Sequence, residues 1–300
     1  MAGPLGRWPS VGTDARFHAV WLGTPAWDPA QEMRWASGMY AWLATSYGYL
    51  EPPPAYRVFI RVAPASGGTA LDSSFMIVTS PRDSTTTGQP RNPRTTITHE
   101  LGHLFVGQVS APTGVSSWFS EGLNVYYTRL LPMRGGFTTV EEYGRDVNQS
   151  FTEYYTARAR NLSADSIVRI GFTDEAVRHM PYVRGSLYFA DLDSRIRAHS
   201  RGARNLDVVI RELFERRAKG DSITHARWKA TVEREAGPGA GDEFDHVILR
   251  GDRTLVPASD AFGPCFERRG RAATEAGPAS YEWVRVAGIP DSTCRRGADR

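Results

Sequence analysis

The stretch Thr98-His99-Glu100-Leu101-Gly102-His103 decides how the rest of this sequence is interpreted. If it is helical, its two histidines lie one turn apart on one face, because residues four positions apart are neighbours along a helix. Two imidazoles at that spacing are typical zinc ligands, and a glutamate between them can act as a base without binding the metal. An isolated pattern of this kind also arises by chance, so the interpretation needs further ligands.

A third ligand is predicted in the segment 116–127, where Glu121 follows an aromatic pair and opens a pattern of helical apolar spacing. A catalytic zinc ion has three protein ligands and one open position, and two histidines with one glutamate are a known set. The intervening chain is long enough for the first helix to end near Gly107, turn and return antiparallel. Taken alone, Glu121 could equally be an acidic residue in a first helical turn. Beside the two histidines, we predict that it is a ligand.

Tyr182 lies in a third segment, 180–189, at the start of a predicted helix. A phenol hydroxyl can stabilise the oxyanion that forms when a carbonyl is attacked. On physical grounds alone, a tyrosine near a helix start is more often a packed aromatic residue with a hydrated tip. His179 could orient Tyr182 or the leaving amine, or could be a polar surface group. Arg184 could pair with a peptide carboxylate or with a structural acid, and we favour the structural acid.

Three strings, taken in order, resemble the gluzincin clan of metallopeptidases. They are H-E-L-G-H at 99–103, W-F-S-E-G-L-N-V-Y-Y at 118–127 and Y-V-R-G at 182–185. Within this clan the sequence is most similar to the glycyl aminopeptidase family, and the related aminopeptidase N family is the better-known cousin. The resemblance spans roughly residues 50 to 250, and W-x-x-E-G is its most specific part.

The resemblance implies a zinc metallopeptidase that acts on a peptide or protein. It implies that His99, His103 and Glu121 bind zinc. It also implies that Glu100 is the general base and that Tyr182 stabilises the tetrahedral intermediate.

One motif of the resembling families is missing. Their members carry a Gly-x-Met-Glu-Asn string before the zinc helix, and its glutamate holds the free amino group of the substrate. The corresponding segment here contains Gly67, Gly68 and Asp72, which we predict as substrate-binding residues, although Asp72 could instead be a turn residue. The prediction is therefore an aminopeptidase-like enzyme. The alternatives are a zinc endopeptidase that acts on extended peptides and an inactive peptide-binding module on the same fold.

The predicted fold is α+β, a thermolysin-like gluzincin catalytic domain with a small mixed β-sheet subdomain followed by a mainly helical subdomain. Residues 1–92 are predicted as an N-terminal α/β subdomain with an edge strand that borders the substrate. Residues 93–250 are predicted as a helical subdomain that carries the zinc site. Residues 251–300 are predicted as a small C-terminal β appendage.

Hydrophobic periodicity and turn residues predict the individual elements. A helix is predicted to start after Asp28 as N-cap, with Pro29 at its first position. Further helices are predicted at 182–199, 206–219 and 224–236, with irregular chain at 163–172 and an exposed loop at 80–92. Strands are predicted at 15–22, 56–62 and 73–79, and the last of these is predicted to be the edge strand.

Composition excludes some function classes. The formal net charge is only +3 and the charges are interspersed, so we expect no nucleic-acid partner. No apolar run approaches the length of a membrane span, and we see no signal-peptide core at the start of the sequence. Cys265 and Cys294 could form a disulfide or stay reduced. We favour the bridge, and with it an exported protein whose signal peptide is absent from this sequence. The sequence does not predict an oligomeric state.

Overall fold

The computed structural model describes residues 5–10, 16–48, 52–64, 66–80, 92–112, 114–271 and 280–296. The chain forms two compact units, 1–107 and 108–300. The first unit contains a small sheet with two helices and the second is mainly helical, which confirms the α+β prediction. The loop predicted at 80–92 lies mostly outside the described residues. The domain boundaries after residues 92 and 250 stay a prediction, although the helix that follows residue 92 contacts the sheet of the first unit.

The sheet of the first unit has five strands in the order β1-β2-β3-β5-β4. Strands β2, β3 and β5 are parallel, and the two outer strands run antiparallel to their neighbours. The strands are β1 (Leu5–Trp8), β2 (Phe17–Leu22), β3 (Tyr56–Val62), β4 (Gly67–Leu71) and β5 (Ser74–Thr79).

Helices α1 (Pro29–Tyr47) and α2 (Arg94–Val106) pack against this sheet and against each other. The alternation of β3 buries Tyr56, Val58 and Ile60 on the helix side, as expected for a sheet with one covered face. The predicted cap of α1 is confirmed, because the Asp28 carboxylate accepts hydrogen bonds from the first-turn N–H groups.

The prediction of the edge strand is wrong. Strand β5 pairs with β3 on one side and with β4 on the other, so Gly67–Leu71 forms the edge strand on this side of the sheet. A tight turn after Leu71 folds β4 back along β5. The sequence Gly-Gly-Thr-Ala-Leu has few of the β-branched and aromatic residues that mark strands, which explains why propensity did not reveal it.

The second unit is built around α8 (Met180–His199), which contacts most of the other helices. The other long helices are α4 (Gly122–Arg134), α5 (Val140–Thr156), α9 (Leu206–Ala218) and α10 (His225–Ala236). Shorter helices are α3 (Ser117–Ser120), α6 (Ala164–Gly171), α7 (Glu175–Arg178), α11 (Ala240–Phe244) and a π-helix at Asp245–Arg250. None of the described helices has the length and apolarity that a membrane span needs.

The irregular segment predicted at 163–172 is instead helix α6. Ser163 caps it, since its hydroxyl accepts a hydrogen bond from the Ser166 N–H at 3.2 Å. The helix is only eight residues long and buries little beyond Ile167 and Gly171, so its apolar pattern was too short to identify it from the sequence.

The C-terminal appendage contains the predicted β structure and also a helix that was not predicted. Strands β6 (Phe266–Arg271) and β7 (Ser280–Arg285) form an antiparallel hairpin, and α12 (Asp291–Arg296) follows. Cys265 and Cys294 form a disulfide with 5.5 Å between their Cα atoms. The hairpin is tied to α5, because the Asn148 side chain exchanges two hydrogen bonds with the backbone of Trp283.

Candidate metal centre

Helix α2 presents the two histidines on one face and its apolar side chains on another. Ile97, Leu101 and Phe105 are fully buried. His99 and His103 are half-buried, with their Nε2 atoms 3.1 Å apart and their rings nearly perpendicular at 87°. Both imidazoles therefore direct a ring nitrogen to the same point, as the helical spacing predicted.

Glu100, between the histidines, is 7% exposed. Its backbone carbonyl accepts a 3.4 Å hydrogen bond from the Tyr56 hydroxyl of β3. Burial, and next the charge of Glu100, raise the pKa of Tyr56 well above its usual range, so the phenol stays protonated and remains a donor. Arg94 adds a second anchor for α2, because its guanidinium forms a two-point pair with the Glu32 carboxylate of α1.

Gly68 of the edge strand lies directly against the Glu100 side chain. A Cβ atom placed on Gly68 would lie 2.7 Å from the Glu100 carboxyl carbon, closer than a real side chain tolerates. The neighbouring Gly67 has open space at the same position. A side chain at Gly68 would therefore have to displace the Glu100 carboxylate, a constraint that the sequence context of Gly68 did not reveal.

Glu121 lies at the junction of α3 and α4. Its N–H donates to the Ser117 carbonyl at 2.9 Å, and its own carbonyl accepts from the Val125 N–H at 2.8 Å. The half-buried side chain is therefore carried by backbone that is hydrogen-bonded on both sides.

Trp118 holds helix α3 in place. Its ring is 3% exposed, and its indole N–H lies 3.3 Å from His225 Nε2. Burial lowers the pKa of His225, against the opposing charge of Asp245, so the imidazole is kept neutral and its Nε2 can accept that bond. His225 was not identified from the sequence, because a lone histidine at a helix start carries no distinctive pattern.

Within the described part of the chain, His99, His103 and Glu121 are the one group of three or more potential ligands that could hold a metal ion. One ligand atom from each residue lies within 4.8 Å of the others. Two imidazole nitrogens and a carboxylate oxygen are a donor set that suits zinc and leaves a coordination position open. The residues present therefore fit the predicted metal.

Tyr182 lies in the first turn of α8, and this helix start packs tightly on the segment that carries Glu121. A Cβ atom on Gly185 would lie 2.5 Å from the Trp118 carbonyl oxygen and 2.8 Å from the Cα of Gly122. Both glycines belong to the motif strings W-F-S-E-G and Y-V-R-G. The contact between Gly122 and Gly185 explains why each string contains glycine. The spacing of residues in the sequence did not explain it.

The remaining predicted site residues lie in different places. His179 is exposed at the start of α8 and its ring lies against that of Tyr182, tilted by 33° with 4.9 Å between ring centroids. Asp72 is exposed in the turn after β4, four residues beyond Gly68 and so about 13 Å further along the strand. This position gives no support to the amine-binding role predicted for Asp72.

The prediction that Arg184 pairs with a structural acid is wrong. The guanidinium is buried and donates to the backbone carbonyls of Leu162 and Arg160, at 2.8 and 3.4 Å. Burial lowers the pKa of Arg184 to about 10. Arg184 therefore joins α8 to the chain between α5 and α6.

A largely apolar pocket of about 310 Å³ opens beside these motifs. Ser117, the first residue of α3, and Pro181, which precedes Tyr182, both contribute to its wall. The opposite wall comes from the segment of α6, with Ile167, Val168 and Phe172. Phe172 is 87% exposed, so an aromatic ring stands in solvent at the pocket. An apolar patch of this kind is typical of a binding site.

The fold is similar to that of solved structures of aminopeptidase N family and M1 zinc metallopeptidase proteins. One similar solved structure is an aminopeptidase N family protein from Idiomarina loihiensis, with TM-score 0.64 and 15% identity, covering 92% of this chain and 53% of that one. A second is an M1 zinc metallopeptidase from Deinococcus radiodurans, solved with a Tyr-Ser-Ala substrate, with TM-score 0.54 and 18% identity, covering 85% and 54%.

A third similar structure is yeast LTA4 hydrolase, with TM-score 0.56 and 16% identity, covering 84% of this chain and 40% of that one. No family model and no curated protein matches the sequence. The fold-level resemblance predicted from the three strings is therefore confirmed. The chain spans about half the length of the first two structures.

Proposed function

We propose that this chain is a zinc-dependent peptidase in which His99, His103 and Glu121 hold the metal. The observation that carries the proposal is the convergence of these three side chains, with ligand atoms within 4.8 Å of one another. The fold shared with zinc metallopeptidases supports it. A thermolysin-like arrangement of the catalytic domain, as the sequence predicts for gluzincins, is part of the same proposal.

The proposed chemistry divides the work among the metal and two side chains. Zinc, when bound, lowers the pKa of a coordinated water towards 7 and polarises the substrate carbonyl. The Glu100 carboxylate takes the proton of the attacking water and delivers it to the leaving nitrogen, so one group is base and then acid. The Tyr182 hydroxyl donates a hydrogen bond to the oxyanion that forms on the carbonyl oxygen.

The substrate is proposed to be an extended peptide. Strand β4 is one of the two edge strands of the described sheet and its backbone reaches Glu100 at Gly68, so a peptide that pairs with this edge would pass the proposed base. The pocket beside Ser117 and Pro181 is proposed to receive an apolar side chain of a substrate, since both residues adjoin the segments of Glu121 and Tyr182.

The proposed metal site, the base and the oxyanion donor are compatible with both an aminopeptidase-like reaction and an endopeptidase reaction. One observation favours the endopeptidase as second candidate. The edge strand Gly67–Leu71 contains no acid, and Asp72 lies in the exposed turn beyond it. The neighbours named as aminopeptidase N family and M1 metallopeptidase favour the aminopeptidase. The Cys265–Cys294 disulfide supports export, because such bridges persist in oxidising compartments.

The proposal is tested by metal analysis combined with paired substrates. We expect about one zinc per chain, and hydrolysis that a chelator abolishes and added zinc restores. Amino-acid amides and N-blocked, internally quenched peptides distinguish the two candidates. If only the free-amine substrates are cleaved, the result supports the aminopeptidase. Cleavage of the N-blocked peptides supports the endopeptidase. Zinc binding with no hydrolysis of either would leave the inactive peptide-binding module.

Glu100→Gln separates the base from the metal site. The amide cannot take the proton, so we expect turnover to fall by about 10²-fold or more while zinc content is unchanged. The measurement is kcat beside metal content for the purified variant. A Glu100→Gln enzyme that kept its full rate would remove Glu100 from the mechanism.

A further inference from the structure

The imidazole of His179 lies beside Tyr182 and is held by a hydrogen bond to Glu153 of helix α5. His179 precedes α8, and the Tyr182 N–H donates to its carbonyl at 3.1 Å, so the two residues share one turn. Their rings are 4.9 Å apart between centroids and inclined at 33°. His179 therefore covers one face of the Tyr182 ring.

Glu153 of α5 fixes the other side of this imidazole. Its carboxylate is hydrogen-bonded to His179 Nδ1. The bond sets the orientation of the ring, and in the neutral imidazole it assigns the proton to Nδ1 and leaves Nε2 as the acceptor. Glu153, His179 and Tyr182 thus form a continuous chain of contacts from α5 to the proposed oxyanion donor.

Fold stability gives little reason for this arrangement. The His179 and Glu153 side chains are 46% and 40% exposed, and ion pairs this exposed contribute little or nothing measurable to the free energy of unfolding. An aromatic ring held at a defined tilt, in contrast, restricts where the neighbouring phenol can point. An oxyanion donor needs that restriction, because misplacement by about 1 Å can reduce a rate by roughly 10²-fold.

We propose that His179, oriented by Glu153, is a positioning residue for the Tyr182 hydroxyl. The inference rests on the proposed function and adds two residues, His179 and Glu153, that orient the proposed oxyanion donor. His179 acts through Tyr182, so its contribution exists only while the phenol hydroxyl is present.

The test is a double-mutant cycle of His179→Ala and Tyr182→Phe, read as kcat and KM separately on the cleaved peptide. We expect His179→Ala to lower kcat about tenfold with KM within about twofold, because the transition state alone uses the hydroxyl. In the Tyr182→Phe background the same change should have no further effect. An equal loss in both backgrounds would overturn the proposal.

Glu153 provides the conservative comparison. Glu153→Gln keeps an oxygen that accepts from the imidazole N–H, and we expect its kcat to stay within about threefold. Glu153→Ala removes that acceptor and should approach the effect of His179→Ala. Equal rates for the two variants would count against the role of Glu153.

His246 offers a matched control. It forms a similar surface pair with Asp252, at 2.7 Å between Nδ1 and Oδ1, so His246→Ala removes a comparable bond elsewhere and should leave kcat unchanged. If Tyr182→Phe itself has no effect on kcat, the oxyanion role fails and this inference fails with it. If Tyr182→Phe lowers kcat and His179→Ala does not, only the positioning role fails.

Discussion

Gly68 shows how much of the candidate site depends on a missing side chain. The edge strand can lie against Glu100 because Gly68 has no Cβ atom, and any larger residue there would meet the carboxyl group at 2.7 Å or less. Gly67 has no such constraint, since a Cβ atom at that position would have no neighbour within 4 Å. The two adjacent glycines therefore have different reasons to be glycine.

Gly68→Ala should lower kcat by about tenfold or more, because the added methyl group displaces the Glu100 carboxylate from the attacking water. The strand itself should persist, since alanine is tolerated in an edge strand. The matched control is Gly270→Ala in strand β6, which adds the same methyl group into open space and should keep kcat within about twofold. The comparison requires steady-state kinetics and thermal unfolding of both variants. Equal rates would show that Gly68 does not constrain Glu100.

At the scale of elements, the contact between α4 and α8 sets the spacing of two proposed functional groups. Gly122 follows Glu121, and Gly185 lies one turn beyond Tyr182. Each glycine faces the backbone of the other segment, so the two helices approach more closely than side chains would allow. Helix packing therefore fixes the segments of the proposed metal ligand Glu121 and the proposed oxyanion donor Tyr182 relative to each other.

Gly185→Ala should destabilise the protein by about 1–3 kcal/mol, because its methyl group would meet backbone atoms that cannot rotate away. It should also weaken zinc binding, since the segment carrying Glu121 must shift. Denaturant unfolding and competition with a chelator measure the two effects. Gly270→Ala is the control, because nothing lies within 4 Å of a Cβ atom at Gly270. Unchanged zinc affinity in Gly185→Ala would separate this contact from the site.

The apolar pocket beside α3 and α6 leads to a second prediction at the scale of elements. Val168→Phe fills space beside Gly114 and Ser117, so it should lower the preference for a large apolar side chain over a small one. We expect the ratio of kcat/KM for leucine to that for alanine peptides to fall about tenfold. Both positions flanking the cleaved bond should be varied in separate series.

The control is Ile170→Phe, which adds the same ring to α6 at an exposed position outside the pocket. If Val168→Phe does not fold, Phe172→Ala tests the same wall, since a ring that is 87% exposed contributes little to packing. No change in selectivity in either peptide series would remove the pocket from substrate binding.

At the scale of the whole molecule, the C-terminal appendage is cross-linked internally by a disulfide. The Cys265–Cys294 bridge closes a loop of sequence separation 29 around the β6–β7 hairpin, and both cysteines are buried. The chain-entropy model assigns a bridge of this loop length about 3–4 kcal/mol of stability. Reduction should therefore lower the free energy of unfolding by an amount of that order.

The measurement is denaturant unfolding with and without reductant. The double variant Cys265→Ser with Cys294→Ser provides the control, because reductant should not change its stability. Zinc content per folded chain should be the same in all samples, since neither cysteine belongs to the proposed ligand set. An oxidised protein no more stable than the reduced one would show that the bridge does not constrain the unfolded chain.

Local patterns were sufficient for much of this molecule. The spacing of His99 and His103 predicts two nitrogens on one helical face, and the Asp28-Pro29 pair predicts the start of α1. Both results depend on residues within one or two turns of each other, where helix geometry and capping determine the outcome. The same local rules missed α6, whose pattern is short, and strand β4, whose residues have low strand propensity.

By itself, the sequence determined the helical spacing of the histidines and the fold class that the three strings resemble, and it predicted the ligand chemistry on which the proposed function rests. Only the tertiary structure decided that β4 and not β5 is an edge strand, why Gly68, Gly122 and Gly185 are glycine, and that Glu153 holds His179. The physical reason is that these facts depend on contacts between segments far apart in the chain. Periodicity and propensity describe one segment at a time and contain no information about its neighbours in space.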